Sequence, residues 1–311
     1  MNLLVTGGLG FQGRHLVRHW IKQGHRVVVL ATPSFRARRA ADMVFEDIAG
    51  GEPRIVWGSV TDPEVVAKAV EGQDVVVHLA AWANPDRPIE DPEAAWAVNV
   101  DGTRHVLDAV RRTGCRLLLQ SSCEVYGPAL GDALQDEHAA LHPTTPYAAS
   151  KAAADVLAQS YASTYGLNVT IVRPCNIFGL GQASGRYGGV IPTFLDAALS
   201  GRPMEIRGDG RQEREYLYVD DLVAALDLLL LRDTPRPRMA LPATPRSHAP
   251  AIAASAAVAQ FVAVTRLRRF VRAAFEDQGI VTIVFGRRLQ VVNRAVKEWM
   301  SCHSFRLQPI Q

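Results

Sequence analysis

The sequence predicts a doubly wound α/β fold, a parallel sheet with helices on both faces, followed by a smaller C-terminal lobe. Three observations lead there. Over roughly the first 175 residues, short apolar runs alternate with stretches of helical length. The runs are continuously hydrophobic rather than alternating, as in strands buried on both faces. Four glycines, Gly7, Gly8, Gly10 and Gly13, cluster where the first run meets the first helical stretch.

Taken in order, "NLLVTG" predicts a buried strand, and "GRHLVRHWIKQG" a helix with Leu16, Val17, Trp20 and Ile21 on one stripe and Gly24 as its stop. "HRVVVLA", "PRIVWG", "DVVVHLAA", "RLLLQSS" and "NVTIVRP" repeat the strand pattern. "DPEVVAKAVEG", "PEAAWAVNVDGTRHVLDAVRRTG" and "YAASKAAADVLAQSYASTYG" repeat the helical one. Beyond Pro174 come glycine-punctuated loops, a helix "TFLDAALSG" and the segment "EREYLYVDDLVAALDLLLL". Residues 232 to about 250 are rich in Pro, Arg and Ala and predict a linker or loop. A helical stretch, a strand in "GIVTIVFG" and a last helix in "QVVNRAVKEWM" follow. The division expected is a dinucleotide-binding unit over 1–173, to which 212–231 returns, and a substrate lobe over 174–311, atypical after 231.

With 48% hydrophobic and 21% charged residues, the composition is that of an ordinary globular protein. A net charge of +3 gives no reason to invoke nucleic acid. Its distribution is uneven, +9 from Arg232 onward and −6 before it, which suits a basic interaction tail, a basic lobe facing an anionic ligand, or an odd C-terminus. The four cysteines, at 115, 123, 175 and 302, show no metal-ligand spacing. They suggest reduced thiols, no metal site and a cytoplasmic home. No basic leader precedes "LLVTGG", and the run "APAIAASAAVAQFVAV" is shorter than the ~20 residues of a membrane span, so neither a signal peptide nor a membrane is expected.

The glycines explain themselves at a strand–helix junction. There the turn is tight, a pyrophosphate must approach the backbone closely, and the helix N-terminus offers aligned N–H donors. Gly7, Gly10 and Gly13 in GxxGxxG spacing, after a strand and before a helix, predict dinucleotide binding on a Rossmann-type sheet. An acid ending the second strand would select NAD by bonding the ribose 2′-hydroxyl. Ala31 and Thr32 stand there instead, with Arg36, Arg38 and Arg39 downstream to meet a 2′-phosphate, so NADP is favoured over NAD.

"PYAASK" sets Tyr147 and Lys151 four residues apart on one helical face. A lysine ammonium near a phenol lowers its pKa, making a base for a sugar hydroxyl as hydride leaves the carbon. Ser121 and Ser122 end a strand at the edge where open parallel sheets bind ligands, and Ser122 is placed to hold the substrate hydroxyl.

In order along the chain, "VTGGLGFQG", "HLAA", "NVDGT", "SSCEVYG", "PYAASK", "RPCNIFG" and "REYLYVDDL" resemble the extended short-chain dehydrogenase/reductases, specifically the NAD(P)-dependent nucleotide-sugar epimerase/dehydratase group. The resemblance covers residues 1 to about 231. It implies a nucleotide-diphosphate sugar as substrate, and Ser122, Tyr147, Lys151 and Glu124 as catalytic positions. It places Gly7, Gly10, Phe11, Gln12 and Gly13 on the pyrophosphate loop. Thr32, Arg36, Ser59, Val60, Leu79, Ala80, Ala81, Asn99 and Pro174 fall along the cofactor with Tyr147 and Lys151. Asn176 and Arg214 fall on the substrate diphosphate, where a guanidinium suits phosphate. A homodimer through the helix of Tyr147 and the helix after Asn99 is also implied.

The activity expected is 4-epimerisation through a 4-keto sugar, with Tyr147 as base. Alternatives are a 4,6-dehydratase or uronate decarboxylase using Glu124, a ketosugar reductase, or a non-catalytic relic. Three departures from the pattern bear on this. The acid after the second strand is absent, Ser59 replaces an aspartate near the adenine, and Cys123 stands where 4,6-dehydratases carry an acid. After "ALDLLLL" the family pattern is lost. A rebuilt lobe and translation out of the ancestral frame from about residue 232 both fit that tail.

Overall fold

The first apolar run forms β1 (Asn2–Thr6), in a computed structural model that describes residues 1–33, 51–83, 89–128, 135–185, 188–203, 214–230 and 281–285. Helix α1 (Phe11–Lys22), β2 (Arg26–Ala31), β3 (Arg54–Trp57), α2 (Pro63–Val70) and β4 (Val75–His78) follow. Next come α3 (Pro92–Trp96), a π-helical turn (Ala97–Asp101), α4 (Gly102–Thr113) and β5 (Arg116–Gln120). Helix α5 (Pro146–Tyr165) leads to β6 (Val169–Pro174). The single long helix read from "PEAAWAVNVDGTRHVLDAVRRTG" is thus interrupted by a π turn, a feature frequent at functional sites.

The large sheet has the order β3-β2-β1-β4-β5-β6-β9, where β9 is Val281–Phe285, every pair parallel. Side chains alternate across it. Leu3 and Val5 pack on one face with Trp20, Val77 and Leu226, while Leu4 packs on the other with Val66, Val106, Leu117 and Ile171. Both faces are covered, which is why the strands need no polar positions. Strand order reverses between β1 and β4, and the crevice beyond their carboxyl ends is where such sheets bind ligands.

A second, two-stranded parallel sheet joins β7 (Asn176–Phe178) to β8 (Tyr216–Tyr218). Helix α6 (Val190–Leu199) lies between them in sequence. Helix α7 (Val219–Leu230) packs back onto α1, where Trp20 Nε1 donates to Asp227 at 3.1 Å.

One strand lies elsewhere than the sequence suggested. β9 (Val281–Phe285), expected in the C-terminal lobe, adds to the large sheet in register Thr170–Val281 to Pro174–Phe285. The outer edge of β6 otherwise leaves backbone donors and acceptors unpaired, and the sequence Val-Thr-Ile-Val-Phe has high β propensity. The linker and both tail helices expected around β9 lie outside the described residues, as do Arg36, Arg38 and Arg39. Among the described residues no helix is long and apolar enough to cross a membrane, and no His/Cys/Asp/Glu group could hold a metal ion.

Candidate active site

The turn after β1 is bare backbone for steric reasons. Gly7 has φ +71°, and a Cβ there would sit 2.9 Å from the Ala80 nitrogen. A Cβ on Gly13 would meet the Gly7 oxygen at 2.5 Å, and one on Gly10 the same oxygen at 3.1 Å. Gly10 caps α1 with no side-chain hydrogen bond, and no acid occupies the first turn. The positive end of α1 therefore faces the crevice with its amides uncovered by side chains, a cradle that fits a dinucleotide pyrophosphate. Phe11 packs edge-on against His15, and Gln12 Oε1 accepts from Gln120 Nε2 at 2.7 Å. At the end of β2, Ala31 is buried and Thr32 is exposed, with no carboxylate at either position.

The floor of the crevice is fixed by a buried chain that the sequence did not reveal. Ala80 N donates to Thr6 Oγ1 at 3.2 Å, Thr6 bonds His78 Nδ1 at 2.6 Å, and His78 Nε2 bonds Thr103 Oγ1 at 3.1 Å. Thr103 donates on to the Asn99 carbonyl at 2.6 Å. This pattern closes only for a neutral imidazole protonated on Nε2. Burial, helped by the Lys151 charge, lowers the His78 pKa to about 3 and keeps it neutral. The chain pins Leu79 and Ala80 beside Gly7, and Ala81 follows them at the edge of the crevice. The Asn99 amide is held within the protein, accepting from Trp82 N at 2.7 Å and donating to Ser150 Oγ at 2.9 Å. Ser59 Oγ pairs with Thr61 in a local turn, and the carbonyl of buried Val60 meets His105 Nδ1 at 3.0 Å.

Beyond β5, Ser122 opens a short 3₁₀ turn (Cys123–Tyr126) by accepting from Glu124 N at 3.2 Å. Tyr147, from the first turn of α5, lies close enough for the Ser122 hydroxyl to act on its phenol. That helix starts here because Thr145 caps it through Ala148 N and Pro146 sets its first residue. Lys151, one turn on, donates from Nζ to the Gln120 carbonyl at 2.5 Å. The structure thus brings Ser122, Tyr147, Lys151 and Glu124 together at the carboxyl end of β5.

Their electrostatics differ from the expectation. Burial, then the charge on Glu124, push the Tyr147 phenol up, and only the Ser122 hydroxyl pulls it down. Burial takes the Lys151 ammonium down to about 8, against the pull of Asp155. Ionising Tyr147 therefore calls for further positive charge, which an oxidised nicotinamide carries. Burial also raises the Glu124 carboxyl, opposed by Arg214.

On the lobe side, buried Pro174 ends β6, and Asn176 is exposed with its Nδ2 on the Glu215 carbonyl at 3.0 Å. Arg214 is exposed and acts electrostatically on Glu124 and Tyr216. Sequence reasoning missed Gln120, whose side chain holds the cofactor turn while its carbonyl holds Lys151. It also missed the buried pair Asp155–Arg173, at 2.7 and 2.8 Å, which locks α5 to β6 with Tyr126 as a third partner at 2.6 Å. The spacing of these residues carries no signal of such contacts.

The profile of the NAD dependent epimerase/dehydratase family matches residues 3–239. A dTDP-glucose 4,6-dehydratase of Mycobacterium tuberculosis is 36% identical over 75% of this chain and 69% of its own length. A UDP-N-acetyl-alpha-D-glucosaminuronate decarboxylase of Bacillus cytotoxicus is 35% identical over 71% of this chain and 68% of its own. The structure is similar to that of Thermus thermophilus UDP-glucose 4-epimerase in complex with NAD (TM-score 0.64, 31% identity, 75% of each chain).

Proposed function

This chain belongs to the NAD dependent epimerase/dehydratase family, and from that premise we propose that it is a 4-epimerase of a nucleotide-diphosphate sugar. The observation that carries the proposal is the gathering of Ser122, Tyr147 and Lys151 at the carboxyl end of β5, where Gln120 holds both Lys151 and the glycine turn. A bound nicotinamide would supply reversible hydride transfer at C4. Tyr147 takes the 4-hydroxyl proton, Ser122 holds that oxygen, and Lys151 keeps positive charge next to the pair. Arg214 and Asn176 hold the diphosphate, which leaves the 4-keto sugar free to turn and receive the hydride on its other face. Cys123 supports epimerisation over dehydration, since a thiol is a poor donor to a departing hydroxyl.

Glu124 favours a second reading, elimination or decarboxylation from the same 4-keto sugar. It is raised by burial, charge-coupled to Tyr147, and set against Arg214. The test is to incubate the protein with a panel of UDP- and dTDP-hexoses and UDP-glucuronate, and to weigh the products. An isobaric epimer supports the first reading. Loss of water or of carbon dioxide supports the second, and an unchanged panel overturns both. We further infer NADP as cofactor, from the missing acid at Ala31 and Thr32. A homodimer through α4 and α5 is supported by Val156 and Tyr165, which are 54% and 49% exposed on α5. A cytoplasmic home is supported by free thiols at Cys115, Cys123 and Cys175.

A further inference from the structure

Two of the free cysteines lie together beside the catalytic serine. Cys123 is the residue after Ser122 and opens the 3₁₀ turn, where it is half-buried. Cys175 is buried between β6 and β7, and the parallel register of β5 with β6, which pairs Gln120 with Val172 and continues through Ser121 N donating to the Val172 carbonyl at 2.7 Å, brings the two cysteines out side by side, each three residues past that pair, although 52 residues separate them in sequence. The Cys175 thiol also donates to Glu215 Oε2 at 3.2 Å. A pair of adjacent thiols, one open to small reagents and one held against a carboxylate, has a chemistry of its own.

We propose that Cys123 and Cys175 form an oxidisable dithiol site that takes a hydroperoxide and closes to a disulfide beside Ser122. Cys123, the more accessible sulfur, attacks one peroxide oxygen. The O–O bond breaks, Cys123 becomes a sulfenic acid, and the other oxygen leaves as water from hydrogen peroxide or as the alcohol from an organic hydroperoxide, taking the thiol proton. The Cys175 sulfur then displaces the sulfenic oxygen as hydroxide, and the Cys175 proton, relayed through the Glu215 carboxylate, joins it so that a second water leaves. Two thiols lose two electrons and the peroxide gains them. Cys175 suits the resolving role. Its burial keeps it from meeting peroxide first, and the Glu215 carboxylate its thiol already donates to is the base at hand when it attacks. The disulfide ties the turn carrying Glu124 to the strand junction ahead of Asn176, so both walls of the candidate substrate site are fixed at once.

The experiment is titration of the full-length protein with hydrogen peroxide, followed by intact mass and peptide mapping without reductant. The expected result is loss of two hydrogens, a Cys123–Cys175 cross-linked peptide, and reversal by dithiothreitol. In Cys175→Ala the cross-link is absent and Cys123 proceeds to the sulfinic acid. A cross-link to Cys115 or Cys302, a cross-link between chains, or peroxide-treated protein with both thiols intact would overturn the proposal. Loss of turnover on oxidation, restored by dithiothreitol, is also expected. Only that last readout rests on the proposed function, so peptide mapping separates failure of one from failure of the other.

Discussion

Lys151 shows what the site demands of a single residue. It is 6% exposed, and burial lowers its pKa from 10.5 to about 8. The folded state therefore binds its proton more weakly than the unfolded state does. Stability from this group rises with pH between about 8 and 10.5, and below 8 the whole penalty, about 3 kcal/mol, is present. Lys151→Met removes that penalty and also the hydrogen bond to Gln120, which offsets about 1–1.5 kcal/mol of the gain. At pH 7 the dinucleotide-free variant should be about 2 kcal/mol more stable by urea unfolding, and inactive. The advantage should shrink as pH approaches 10.5, and a variant less stable at pH 7 would refute the reasoning. Tyr147→Phe should retain dinucleotide binding while turnover falls about 10²–10⁴-fold, and undiminished turnover would remove Tyr147 as the base.

At the scale of elements, the strand–turn–helix unit and the β6–α5 lock make opposite lessons. Gly13→Ala puts a Cβ within 2.5 Å of the Gly7 oxygen and 2.6 Å of Gly8 Cα, both backbone atoms. The expected cost is about 1–3 kcal/mol, with loss of dinucleotide affinity, checked by thermal unfolding and equilibrium dialysis. That turn was legible in the sequence because the steric need for glycine is local. The strands were legible because a strand covered on both faces must be apolar throughout. The lock was not, because Asp155 and Arg173 meet only once α5 lies on the sheet, and no periodicity records it. Removing the guanidinium with Arg173→Met leaves the buried Asp155 carboxylate without its ion-pair partner and with only the Gln159 hydrogen bond, so a loss of about 3 kcal/mol is expected by denaturant unfolding, largely recovered in the apolar double variant. The π turn at Ala97–Asp101 and the Thr6–His78–Thr103 chain were hidden for the same reason. Likewise β9 reads as a strand in the sequence, but only the open edge of β6 determines which sheet it joins.

Across the whole molecule, one strand order brings the parts together. Reversal between β1 and β4 opens the crevice, the glycine turn and the Ala80 segment line it, and β5 delivers Ser122 beside Tyr147 from α5. β7 and β8 then set Asn176 and Arg214 at its lobe side. The family profile reaches residue 239, while the basic excess of the chain lies from Arg232 onward. Whether the chain closes a working site around a resident cofactor is thus the central question. It is answered most directly by mass spectrometry of the small molecules released when the purified, untreated protein is denatured. Near-stoichiometric NADP is the expected result, NAD in its place would contradict the reading of Ala31 and Thr32, and no dinucleotide at all would contradict a site that recycles a bound cofactor.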